Sequence, residues 1–150
     1  MQSVSPALAT SDSGIDEALV DTSVAVAIVL ADHAGHTRTL DAVKGIRLGL
    51  SGHAWFETYS VLTRLPPGSR RSPRDVRHIL EQDFPATRYL DAPQLARLAQ
   101  ELAELGIAGG SVYDALVGAA ARQHRLTLLS RDLRARPIYE ALGVRVRMVD

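Results

Sequence analysis

Short apolar or β-branched runs alternate along this chain with longer segments in which apolar residues recur every three or four positions. The runs are Ala18 to Val20, Ile46 to Leu50, Leu126 to Leu129 and Val144 to Met148, with Thr87 to Leu90 a candidate fifth. Runs of that length and composition predict strands. Between them the spacing predicts helices over 24–31, 37–43, 53–65, 73–83, 93–105, 112–124 and 136–142. Strands that alternate with helices are joined by crossover connections and build a parallel sheet covered on both faces. The expected fold is therefore α/β, an α/β/α sandwich around a central, mostly parallel sheet.

Punctuation agrees with these boundaries. Asp91-Ala92-Pro93 has the form of an N-cap with proline in the first turn, and Gly106 follows Leu105 where a helix-ending glycine belongs. Leu65-Pro66-Pro67-Gly68-Ser69 stops one helix and Pro73 can open the next. Residues 1–17 are rich in Ser, Ala and Asp and read as a flexible tail, leaving 18–150 as one domain.

Composition narrows the classes. The chain has 150 residues, 46% of them hydrophobic and 23% charged, which is ordinary for a globular protein. Its formal net charge is zero, so no global field draws it to nucleic acid or membrane, and any such contact needs a local patch. Cysteine is absent, which removes disulfides, thiolate zinc sites and cysteine nucleophiles and agrees with a reducing, cytoplasmic setting. The start lacks the basic residues and apolar core of a signal peptide. The longest apolar run, near Val24 to Leu30, is far too short to cross a bilayer, so no membrane span is expected.

Lys44 is the only lysine among 17 Lys and Arg, a bias that weakens arguments from arginine count. Arg64, Arg70, Arg71, Arg74 and Arg77 nevertheless cluster around the proline break. Of these, Arg70, Arg71 and Arg74 are the candidates for tracking an RNA phosphate backbone. The alternative is a solvated loop in an arginine-rich protein.

The acids carry the chemistry. Asp21 ends the first strand, in Leu19-Val20-Asp21-Thr22-Ser23, where a charge beside the core costs several kcal/mol unless it is compensated. It is either a helix cap or part of a site that holds a cation. Glu57 shares a helical row with Ala54 and Val61, at the edge of a buried stripe or pointing to water. Asp114 lies at the third position after Ser111, as in a capping box. Asp132 follows the strand Leu126 to Leu129, as a turn residue or N-cap would. Each has a purely local explanation, yet two sit at strand ends and two in the first part of helices. In an open parallel sheet these places face one edge, where ligands bind at the switch in strand order. Carboxylates gathered there repel one another, and a divalent cation relieves that repulsion. Oxygen ligands without Cys or His favour Mg²⁺ or Mn²⁺ over Zn²⁺.

Other motifs are weaker. His33 and His36 flank a loop glycine, and His53, His78 and His124 are scattered, so surface or helix-end roles suit them. The loop Gly106 to Ser111 could cradle a phosphate on free backbone N–H groups, but it has neither a nucleotide-binding glycine pattern nor a Walker lysine.

The ordered motifs resemble those of PIN-domain ribonucleases, and specifically the VapC toxins of bacterial toxin–antitoxin pairs. The likeness runs from Leu19 to Val149. It rests on Leu-Val-Asp21-Thr-Ser, on Glu57 after the second strand, on Tyr113-Asp114-Ala115-Leu116, and on Leu-Leu-Ser130-Arg131-Asp132. The resemblance implies that Asp21, Glu57, Asp114 and Asp132 form the catalytic acidic quartet. Asp21, Asp114 and Asp132 would be the metal ligands, with Ser23 and Ser130 as hydroxyl supports. Serine at 130 stands where the family often has threonine. The resemblance further implies a Mg²⁺ (or Mn²⁺) cofactor, cleavage of structured RNA such as tRNA or rRNA, a homodimer, and a cognate VapB-type antitoxin. Two other classes stay open from the residues themselves. One is an aspartyl-phosphate-type phosphoryl-transfer enzyme, which would want a second acid two residues after Asp21 and a late lysine. The other is a non-catalytic PIN-like module that binds RNA or a partner.

Overall fold

The first apolar run is buried on every side because it becomes the centre of a sheet. In the computed structural model, which describes residues 14–150, β1 (Glu17–Val20) lies between β2 (Arg47–Leu50) and β3 (Leu128–Ser130), with β4 (Val146–Met148) beyond β3. The order β2-β1-β3-β4 is parallel throughout, with Val20 opposite both Leu50 and Leu129. Ala18, Leu19, Val20, Leu50 and Leu128 are wholly inaccessible to solvent. Each buried Leu or Val contributes roughly 1.5–3 kcal/mol relative to exposure.

Among the described residues seven helices cover the sheet: α1 (Thr22–Val29), α2 (His36–Val43), α3 (Ala54–Thr63), α4 (Pro73–Asp83), α5 (Ala92–Glu104), α6 (Ser111–His124) and α7 (Arg136–Ala141). They fall into two sets, α1 to α4 packing among themselves and α5 to α7 doing the same, which gives the α/β/α layering. The predicted caps form. Ser72 accepts a hydrogen bond from Asp75 N ahead of Pro73, and Asp91 accepts from Gln94 N ahead of Pro93. Gly106 takes the left-handed φ of +68° that follows α5, a conformation costly for a residue with a Cβ. A partly buried ion pair ties α5 to α6 and α7: Arg122 donates to both Glu101 oxygens at 2.7 and 2.8 Å and to Leu142 O at 3.0 Å.

Two expectations change. Thr87 to Leu90 forms no strand and makes only one bridge, Ser51 to Arg88. The reason is local: Leu50 N donates to the Thr87 hydroxyl at 2.9 Å, so a side chain takes the bond that a strand's carbonyl would have received. The end of the leading segment is also structured. Glu17 opens β1, and Ile15 packs on the core. Residues 1–13 of the expected tail lie outside the described residues. Among the described residues no helix is long and apolar enough to cross a membrane.

Candidate functional site

β1 and β3 are neighbours at the point where the strand order reverses, so their carboxyl ends open onto a shared edge. β1 runs into Asp21 and β3 ends on Ser130, with Asp132 two residues further on. The first turns of α3 and α6 bring Glu57 and Asp114 to the same place. All four acids line one cavity of about 240 Å³, together with Thr22, Ser23, Val117, Arg134 and Tyr139. The sequence reading named the acids and Ser23. Ser130 meets the cavity through Asp21.

Asp21 is 3% exposed and is both the N-cap of α1 and the best-held acid of the group. Its Oδ1 accepts from Ser23 Oγ at 2.6 Å and Val24 N at 3.2 Å. Its Oδ2 accepts from Ser130 Oγ and from Tyr139 Oη at 3.0 Å. Burial pushes its carboxyl above the usual range, and the four hydrogen bonds pull against that rise. The serines are themselves braced, since Arg131 N donates to Ser23 Oγ at 2.8 Å and Asp132 N to Ser130 Oγ at 3.0 Å. Both hydroxyls donate to Asp21.

The other acids are more open. Glu57 is raised mainly by burial and further by Asp114 and Asp21, against the favourable charge of His53, whose Nε2 is 3.9 Å away. Asp114 is likewise raised by burial, then by Asp132 and Asp21, with Arg134 opposing. Its local alternative fails: Gly110, not Ser111, precedes α6, and no side chain caps that helix end. Asp132 does act as a turn residue, accepting from Arg134 N at 2.9 Å, and it also pairs with the Arg134 guanidinium at 3.2 Å. Arg134 is thus the cavity's own counter-ion. Thr22 Oγ1 is buried with no partner at hydrogen-bond distance, yet it stands near enough to Glu57 to ease that charge.

Among the described residues no three Asp, Glu, His or Cys side chains are close enough, as they lie, to share one metal ion. Like charges hold apart, Asp21 is occupied by its four donors, and Asp132 is turned to Arg134. The donor chemistry still fits a hard divalent cation, being oxygen only, and Glu57 and Asp114, raised chiefly by burial and further by neighbouring acids, are groups whose charge such an ion would compensate.

A larger cleft of about 800 Å³ adjoins this cavity, sharing Glu57, Asp114 and Arg134 with it and walled by His53, Phe56, Tyr113 and Arg64. Arg64 therefore borders the acids. Arg70 and Arg74 are exposed and Arg71 half-buried on the loop and helix beyond α3, and none of the three lines the acidic cavity or this cleft. His36, His53 and His124 sit at helix ends, with His36 bonded to Ala27 O at 2.8 Å and His124 to Tyr89 O at 2.8 Å, while His78 is exposed within α4 and His33 lies in the loop before α2. Among the cavity residues that the sequence leaves unmarked are Tyr139 and Arg134. Tyr139 passes for a stripe residue of α7, and Arg134 is one arginine in a chain full of them.

A family model described as PIN domain matches residues 18–141. The chain is 43% identical over 127 residues to ribonuclease VapC27 of Mycobacterium tuberculosis, an alignment spanning 85% of this chain and 93% of that protein. In structure it is similar to VapBC2 from Rickettsia felis bound to a promoter DNA fragment, with TM-score 0.64, 14% identity and coverage of 89% of this chain and 99% of that one. It is also similar to VapC20 of Mycobacterium tuberculosis, a sarcin-ricin loop cleaving toxin, with TM-score 0.62, 23% identity and coverage of 79% and 92%. At those identities the two structures bear on the fold alone.

Proposed function

Because this chain belongs to the PIN-domain family, we propose that it is a Mg²⁺- or Mn²⁺-dependent endoribonuclease, the toxin of a toxin–antitoxin pair, that cleaves structured RNA and so inhibits translation. The observation that carries the reading is the convergence of Asp21, Glu57, Asp114 and Asp132 on one cavity at the carboxyl edge of the sheet. A cation bound there would lower the pKa of a water and stabilise charge on the phosphate during in-line displacement. Asp21, Asp114 and Asp132 are its proposed ligands. Glu57, raised by burial and by its acidic neighbours, is suited to receiving a proton from the attacking water. Arg134 stands where a phosphate would enter, free to exchange Asp132 for it.

Asp21 is a poor candidate for a covalent nucleophile, since it is buried and both oxygens are already engaged. That disfavours the aspartyl-phosphate class. The antitoxin is proposed to be VapB-type, in line with the VapBC assembly among the structural relatives. A homodimer is proposed because Phe56, Tyr89, Leu95 and Tyr113 are all about half exposed, at 56%, 51%, 44% and 54%. Phe56, Tyr89 and Leu95 share one hollow, and Phe56 continues to Tyr113 across the neighbouring cleft. Apolar surface of this kind commonly marks an interface. Arg70, Arg71 and Arg74 are proposed as peripheral phosphate contacts.

The test is direct. Purified protein is mixed with tRNA and rRNA in Mn²⁺, and the new 5′ ends are sequenced. Discrete cuts leaving 5′-phosphate and 3′-hydroxyl ends, lost with chelator and in Asp114→Asn, are expected. Cuts that persist equally in Asp114→Asn would reject the assignment, and a protein that binds RNA without cutting it would be the non-catalytic module instead.

A further inference from the structure

Three of the four donors on Asp21 lie on or beside the strand ends that meet there: Ser23, the Val24 N–H and Ser130. The fourth comes from elsewhere. Tyr139 sits on α7, is 2% exposed, and donates its hydroxyl to Asp21 Oδ2 at 3.0 Å across a sequence separation of 118 residues. With two donors on each oxygen, a cation would reach Asp21 only where one hydroxyl donor turns away, and the donors that remain would hold the carboxylate's direction. Rotation about Cβ–Cγ is otherwise soft for an aspartate. A donor pointing in from a second direction is what turns a tethered carboxylate into an oriented one.

The seating of Tyr139 depends on a glycine. Gly118 lies in the interior of α6, where glycine is disfavoured relative to alanine. A Cβ at this position would stand 2.9 Å from Tyr139 Cδ1 and 3.3 Å from Val144 Cγ2. The ring thus occupies space that any larger residue at 118 would take from it.

We propose that Tyr139 is a positioning residue of the acidic cavity: its hydroxyl fixes the direction in which Asp21 presents its carboxylate to a divalent cation, and Gly118 sets the depth of the ring that carries it. The proposal rests on reading the cavity as a metal-dependent nuclease site. Groups hydrogen-bonded to a metal-ligating side chain typically change metal affinity by about 10- to 100-fold when removed.

The test reads the RNA-free protein first. Mn²⁺ affinity is measured by calorimetry for the wild type, Tyr139→Phe, Gly118→Ala and Asp21→Asn, each with its metal-free melting temperature, and cleavage is then measured against Mn²⁺ concentration. Tyr139→Phe keeps the ring and loses only the hydroxyl. It is expected to bind Mn²⁺ about tenfold more weakly, to melt within a few degrees of wild type without metal, and to recover most of its cleavage rate at high Mn²⁺. Gly118→Ala is expected to weaken Mn²⁺ binding in the same direction with the hydroxyl still present, and it carries the test if Tyr139→Phe does not fold. Wild-type Mn²⁺ affinity in whichever of the two variants folds overturns the proposal. If wild type and Asp21→Asn bind Mn²⁺ equally, the metal reading of the cavity itself has failed, and this proposal falls with it.

Discussion

Asp21 can be replaced in two ways that separate its structural work from its chemical work. In Asp21→Ala, four donors converge on a methyl group: Ser23 Oγ, Val24 N, Ser130 Oγ and Tyr139 Oη. Loss of the α1 cap costs about 1 kcal/mol, and a buried donor left unpaired costs about 1–3 kcal/mol. The serine hydroxyls can turn to other partners, but the Val24 N–H and the Tyr139 hydroxyl have fewer choices, so a total near 3–4 kcal/mol is expected. For a chain of this size that lowers the melting temperature by about 6–16 °C. Asp21→Asn keeps the cap through its carbonyl, and its amide can donate to the Ser130 and Tyr139 oxygens once their protons turn. It trades charge-assisted bonds for neutral ones while relieving the burial of a charge, for a net change within about 1 kcal/mol. Both variants should lose RNA cleavage by about a thousandfold or more, the scale of deleting a principal electrostatic group. Thermal melts in chelator and single-turnover cleavage in Mn²⁺ read the two effects separately. If the two variants melt alike, or if Asp21→Asn cuts RNA at near-wild-type rate, the account of this residue is wrong.

Metal-free stability should fall as pH rises through and just above the ordinary carboxylate range, because the raised folded-state pKa values of Asp21, Glu57 and Asp114 let the native state keep protons that the unfolded chain has released; if Asp21→Asn, Glu57→Gln and Asp114→Asn leave the pH dependence of the melt in chelator unchanged, this is contradicted. Added Mn²⁺ or Mg²⁺ should raise the melting temperature, by the equivalent of about 2.7 kcal/mol at a hundred times the dissociation constant, and Asp114→Asn should abolish most of the rise. Charge reversal at Arg70, Arg71 and Arg74 should weaken RNA binding and flatten its dependence on salt; an unchanged salt slope would make the cluster plain surface. Arg122→Ala should destabilise by about 1–3 kcal/mol, since Glu101 loses its two-pronged partner but keeps Arg97 at 3.3 Å, as read in a chemical melt.

Much of the fold could be read from periodicity because the core is strongly patterned. The runs at Ala18 to Val20 and Leu126 to Leu129 had to be buried strands, and the proline and glycine stops fell within a residue or two of the helix ends. Thr87 misled because β-branched composition says nothing of a hydroxyl that displaces a carbonyl from the ladder. Glu17 misled because a strand's first, partly exposed residue looks like the segment before it. In the site, the acids were readable since charge next to apolar runs demands a partner. Asp114 was open to a capping explanation that the backbone at Gly110 does not adopt. Tyr139 could not be found this way, as one apolar stripe residue among Ile138 and Leu142 carries no mark of where its hydroxyl goes.

The carboxylate at position 21 waits on residues 130 and 139 for half of its hydrogen bonds. A ribosome translating this chain therefore exposes α1 long before the cavity can be completed, and a nascent or prematurely terminated polypeptide that stops short of α7 holds only part of the constellation. For a protein proposed to attack the machinery that makes it, such an order of assembly would keep each copy harmless until α7 has been made.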